Sequence, residues 1–174
     1  MCPDKQEQLR QLIGSDYDLW VLRRESKWEG PVSINALLAD CLKKSVWPPT
    51  ATGVYLVSQY EWKKWPEPEC KPLYVGSTTG KGDRFLTRVG DLIVDMYGFF
   101  GGNTGHSTGG ASVHKYCIET GVHPGSLYIG WIPNPKCRRC AELFVWDWFN
   151  DLDTTLLNRK RPPRCVDHKT PLIS

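Results

Sequence analysis

The sequence predicts a small α/β (α+β) fold, three short strands with helices beside them, and three observations point to it. Two β-branched and aromatic runs, Thr52 to Ser58 and Leu73 to Ser77, are bounded by glycines and separated by a Pro-, Lys- and Trp-rich loop, the pattern of two paired strands. From Asp83 onward Phe85, Val89, Leu92, Ile93 and Met96 recur at helical spacing. A third strand-like run, Ser126 to Ile132, lies further on and is expected at the centre of the sheet.

Composition agrees with a cored domain. The chain has 174 residues, 40% of them hydrophobic and eight of them tryptophan, enough for one domain with an extension and not for two full-sized ones. No apolar run approaches membrane-spanning length and Met1-Cys2-Pro3-Asp4 opens no signal peptide, so the expectation is a soluble, intracellular protein of the cytoplasm or nucleoid/nucleus with no membrane partner. A net charge of +3 is too small to mark a nucleic-acid binder. Its distribution says more, because Arg159, Lys160, Arg161, Arg164 and Lys169 face a lone acid, Asp167, in the tail. Such a basic edge either adds salt-sensitive contacts to a polyanion or is simply a solvated tail.

Taken in order, residues 1–50 form an N-terminal extension expected to pack on the core. Gln6 to Ile13 fits a short helix and Asp18 to Arg23 a strand. Ser33 to Lys43 fits a helix with Ile34, Leu37, Leu38 and Leu42 on one face, Ser33 as its N-cap and Pro48-Pro49 beyond its end. Basic and acidic residues balance in this segment, so it is not a basic arm. Packing alone is its simplest role, with dimerisation or substrate choice as further ones.

The core is expected over residues 51–163. In its first loop, Trp62 and Trp65 alternate with Lys63 and Lys64, an arrangement that either stacks on bases and pairs with phosphates or covers the sheet's edge. On the helix after the second strand, Arg84 and Arg88 lie one turn apart. Two planar guanidinium forks beside tyrosines suit a phosphodiester better than lysines would. A glycine-dense connection from Gly98 to Gly110 follows, with His106 and His114 near its end; His106 is a candidate phosphate contact, surface or capping roles being the commoner ones for such a histidine. Ser112 to Thr120 fits a helix stopped by Gly121. The last helix, Arg138 to Leu152, is apolar on almost every side, and Glu142 stands among its hydrocarbon. A carboxylate there is costly to desolvate unless a cation compensates it, either an arginine or a divalent metal.

Gly53-Val54-Tyr55, then Tyr74-Val75-Gly76, then Arg84, with Glu142 on a later helix and Asn158 in Leu156-Leu157-Asn158, together resemble the signature of the GIY-YIG nuclease family over about two-thirds of the chain. The resemblance implies a three-stranded, mostly antiparallel sheet flanked by helices, and a metal-dependent DNA endonuclease whose cuts leave a 5′ phosphate. It implies that Glu142 holds Mg²⁺ or Mn²⁺ at the scissile phosphate, hard cations that accept oxygen-only coordination. Arg84, assisted by Arg88, would grip the non-bridging oxygens, and Tyr55 would orient or deprotonate the attacking water. Tyr74 would position water or phosphate, and Asn158 would order the back wall. A free phenol titrates near ~10, so a base role for Tyr55 needs a neighbouring cation or base; Lys71 and Lys81 are close enough in sequence to consider.

The cysteines raise a second metal question. Cys137-x-x-Cys140 and Cys165-x-x-His168 supply four ligands at zinc-type spacing, so a structural zinc would clip the tail, residues 164–174, to the start of the last helix. A redox pair or coincidence is the competing reading. With its extra residues before and within the core, the chain is most like a stand-alone restriction-type enzyme, a homodimer if it cuts both strands. Structure-selective repair and homing enzymes remain open alternatives. So do a non-catalytic nucleic-acid-binding module of the same fold and a zinc-stapled protein-interaction domain.

Overall fold

The computed structural model describes residues 27–39, 47–49, 51–78, 85–99, 109–135, 137–152, 154 and 156–163. Four strands run through them: β1 (Glu29–Ser33), β2 (Gly53–Ser58), β3 (Pro72–Ser77) and β4 (Tyr128–Pro133). The helices are α1 (Ile34–Ala39), α2 (Phe85–Met96), α3 (Gly109–Thr120) and α4 (Arg138–Asp151). All strand pairs are antiparallel and the order across the open sheet is β1-β4-β2-β3, giving a mixed α+β fold.

The sheet therefore has four strands where the sequence predicts three. The added strand, β1, comes from the segment assigned to the N-terminal extension, so residues 29–39 belong to the same sheet and core as the rest. Gly30-Pro31 gives the segment the look of a turn, yet proline is tolerated at a sheet edge, where it breaks no central ladder. β1 lies at that edge, with a register shift between Glu29 and Val32. The expected helix at Gln6 to Ile13 and the expected strand at Asp18 to Arg23 lie outside the described residues. The helix after β1 is α1, and Ser33 caps it as expected, its Oγ accepting from the Ala36 amide at 3.2 Å.

β2 is buried at every position, as a central strand covered on both faces must be. Its alternating side chains divide the protein into two apolar layers. Tyr55 and Val57 face Phe85, Val89, Leu92, Ile93 and Met96 of α2, joined by Ile34 and Leu37 of α1 and Val113 and Cys117 of α3. Val54 and Leu56 face the other way, against Val75, Ile132 and the Ala141, Val145 and Phe149 row of α4. Every apolar position that marked α2 in the sequence is buried.

The tryptophans of the β2–β3 loop settle over the α4-side layer. Trp62 is buried, and Trp28 meets both Trp62 and Trp65 edge to face, each at a ring separation of 5.9 Å. Of the two roles the sequence left open for Trp62, covering the sheet is the one its burial fits, since a buried ring has no face to offer a base. α3 ends where Gly121 takes a positive φ of 72°. Among the described residues no helix is long and apolar enough to cross a membrane.

Candidate functional site

The antiparallel register sets Tyr55 opposite Gly76 and Val57 opposite Tyr74. Since alternate residues share a face, both tyrosines point to the α2 side, with ring centroids 6.2 Å apart and a tilt of 34°. Tyr55 is fully buried and stacks on Phe85 at 6.1 Å. Two glycines make room for the phenols. A Cβ on Gly76 would come within 2.4 Å of the Tyr55 hydroxyl, and one on Gly109, the first residue of α3, within 2.5 Å of the Tyr74 ring. The glycine of the Tyr-Val-Gly run is thus required because the phenol of the Gly-Val-Tyr run crosses it.

The next residue along β3, Ser77, faces the opposite layer. Its hydroxyl donates to Oε2 of Glu142 at 2.5 Å, tying α4 to the end of the edge strand. Glu142 thus rises from the helix on the far face of the sheet from the tyrosines. It is nevertheless within the electrostatic reach of both, and so is Arg88 of α2. The sheet ends here at its edge strand, with no side chain at Gly76, and charges on its two faces act on one another across that edge.

The charges explain one another. Burial pushes the Glu142 carboxyl above the usual carboxylate range, and the Ser77 hydrogen bond, Arg88 and Arg138 pull it partly back. Burial also raises Tyr74 to about 12, with Glu142 adding to the rise and Arg88 opposing it. For Tyr55 burial again dominates, followed by Tyr74; Arg88 opposes, while Glu142 and Asp91 add. The result is two neutral phenols and an acid whose charge is costly, with Arg88 acting on all three. Burial of Tyr55 favours the neutral phenol, which suits the orienting role expected for it more than the base role.

Asn158 reaches the site through the backbone of β3. Its side-chain amide bonds the backbone of Val75 reciprocally, accepting from the Val75 amide at 3.0 Å and donating to the Val75 carbonyl at 2.8 Å. The Leu157 amide donates to the Leu73 carbonyl at 2.7 Å. Residues 157–158 therefore run along the free edge of β3 and fix the backbone on both sides of Tyr74.

Lys71 lies elsewhere. It precedes β3, at the strand end away from Gly76, and its Nζ lies 5.4 Å from the ring centroid of exposed Tyr60. Arg84, Lys81 and His106 lie outside the described residues. So do Cys165 and His168, half of the expected zinc set. The other half serves α4 directly: Cys137 is its N-cap, the Sγ accepting from the Cys140 amide at 3.5 Å. Among the described residues no three His, Cys, Asp or Glu side chains cluster as a metal-binding group.

Ser77, Asp91 and Arg138 belong to the electrostatic surroundings of the site and were not expected there. Arg138 had a readable signal, lying one helical turn before Glu142. Ser77 had a weaker one, as the residue that follows Gly76 and so faces the other layer. Comparison with family models, with curated proteins and with solved structures returns no match.

Proposed function

We propose that this chain is a divalent-metal-dependent DNA endonuclease, of restriction type and acting as a homodimer where both strands are cut. The observation that carries the reading is geometric: Tyr55 and Tyr74 lie ring to ring on β2 and β3, and Ser77 at the end of β3 holds Glu142, with Arg88 and Glu142 within electrostatic range of both phenols. An acid held against its desolvation cost beside a cation and two phenol donors suits a phosphate-handling site.

The donors fit a hard cation. Glu142 is a carboxylate oxygen ligand with hydroxyl groups around it, and a single protein carboxylate leaves the remaining positions to water and substrate phosphate, as magnesium and manganese prefer. When bound, such an ion supplies charge neutralisation at the phosphate and the leaving oxygen. Arg84 grips the non-bridging oxygens through its planar fork, with Arg88 assisting. Tyr74, half-buried, keeps its proton and positions the phosphate or the attacking water by a hydrogen bond from its hydroxyl. Tyr55 holds the Tyr74 ring in place from beneath.

Supercoiled plasmid incubated with the protein and Mg²⁺ tests the reading. Nicking that needs the cation and falls at least a hundredfold in Glu142→Gln is the expected outcome. Binding of DNA without any cleavage would replace the enzyme with a nucleic-acid-binding module.

A further inference from the structure

We infer that Ser77 is the positioning residue for the metal-binding carboxylate, holding one oxygen of Glu142 so that the other is presented to the cation. The inference rests on the metal-dependent reading above, and names a residue that the resemblance does not. Three observations support it. Ser77 is 7% exposed, so its hydroxyl has little competing water. Its hydroxyl lies 2.5 Å from Oε2 of Glu142, across 65 positions of sequence, with the Thr78 carbonyl a much longer acceptor at 3.5 Å. It is also the last residue of β3, a strand held at Val75 by Asn158 and paired along its length with β2, so the hydroxyl sits on a fixed backbone.

A carboxylate on a helix can turn about its own side-chain torsions, and each torsion that must be frozen on binding weakens the ligand. One oxygen already bonded to a rigid strand removes most of that freedom. Hydrogen bonds of this kind behind a metal ligand are worth about 10- to 100-fold in metal affinity.

The test is Mn²⁺ binding to the full chain without DNA, followed by electron paramagnetic resonance, for the wild type, Glu142→Gln, Ser77→Ala and Ser77→Thr. The wild type is expected to bind one Mn²⁺ that Glu142→Gln loses. Ser77→Ala is expected to bind about 10-fold more weakly, and Ser77→Thr, which keeps the hydroxyl, to recover most of the difference. Thermal unfolding of each variant separates lost affinity from lost fold, and the threonine rescue would not occur if Ser77 merely filled space. Equal affinity in Ser77→Ala and wild type overturns the role of Ser77 and leaves the endonuclease reading standing. Absence of any Mn²⁺ site that depends on Glu142 overturns both.

Discussion

Tyr74 shows how one side chain reports its surroundings. Burial and the nearby Glu142 raise its phenol from 10.0 to about 12. A group whose folded pKa is raised keeps its proton longer in the folded chain than in the unfolded one. The stability it contributes is therefore complete below about pH 10 and is lost as pH climbs toward 12. Thermal unfolding followed from pH 9 to 12 should show the wild type losing stability more steeply than Tyr74→Phe, which has no proton to lose; parallel curves would deny the phenol its buried setting. The sequence marked Tyr55 and Tyr74 because each sits in a short local run, and Glu142 because an acid among so much hydrocarbon is distinctive. It could not mark Ser77, a common residue type at a strand end whose partner is a carboxylate on another element. Nor could it show that Tyr55 is wholly buried, because that depends on Phe85 stacking over it and on Gly76 leaving room beneath.

At the scale of elements, α2 was legible in full and β1 was not. Phe85, Val89, Leu92, Ile93 and Met96 repeat with the helical period and all meet the same layer, so local pattern and final packing agree. β1 carries Gly30-Pro31 and depends on a partner, β4, about a hundred positions away, so nothing within its own five residues announces a strand. The clamp on β3 was invisible for a related reason: Asn158 was placed by its motif, but its partners are backbone atoms of Val75, which leave no trace in a pattern of side chains. Asn158→Ala removes both hydrogen bonds and leaves the Val75 amide and carbonyl at an open edge. The expected cost is about 2 kcal/mol, read by urea denaturation. Faster hydrogen exchange at the Val75 amide should accompany it, and unchanged exchange there would show that Asn158 does not hold the strand.

Across the described residues, the sheet acts as a partition between two apolar layers, and the proposed site lies at its edge. Two apolar layers with separate cores anchor α2 on one side and α4 on the other, so the arginine and the acid each stand on a rigid helix. The stretch just after Asn158 is tied to α4: Arg161 makes a two-pronged ion pair with Asp147 at 2.7 and 2.5 Å. Arg159 and Lys160 remain exposed beside it. Part of the basic excess seen in the sequence is thus structural, and part is available to a polyanion. The partition was not legible in advance, because two faces of one strand differ only by alternation and only the register decides which residues meet.

The claim that groups from both faces form one catalytic unit is tested most directly by a double-mutant cycle on plasmid nicking, using Arg88→Ala, Glu142→Gln and the pair together. Residues that act as a unit lose their effect together, so the double variant should nick at about the rate of the slower single one. Losses that multiply, or wild-type protein that does not nick DNA in Mg²⁺ at all, would contradict it.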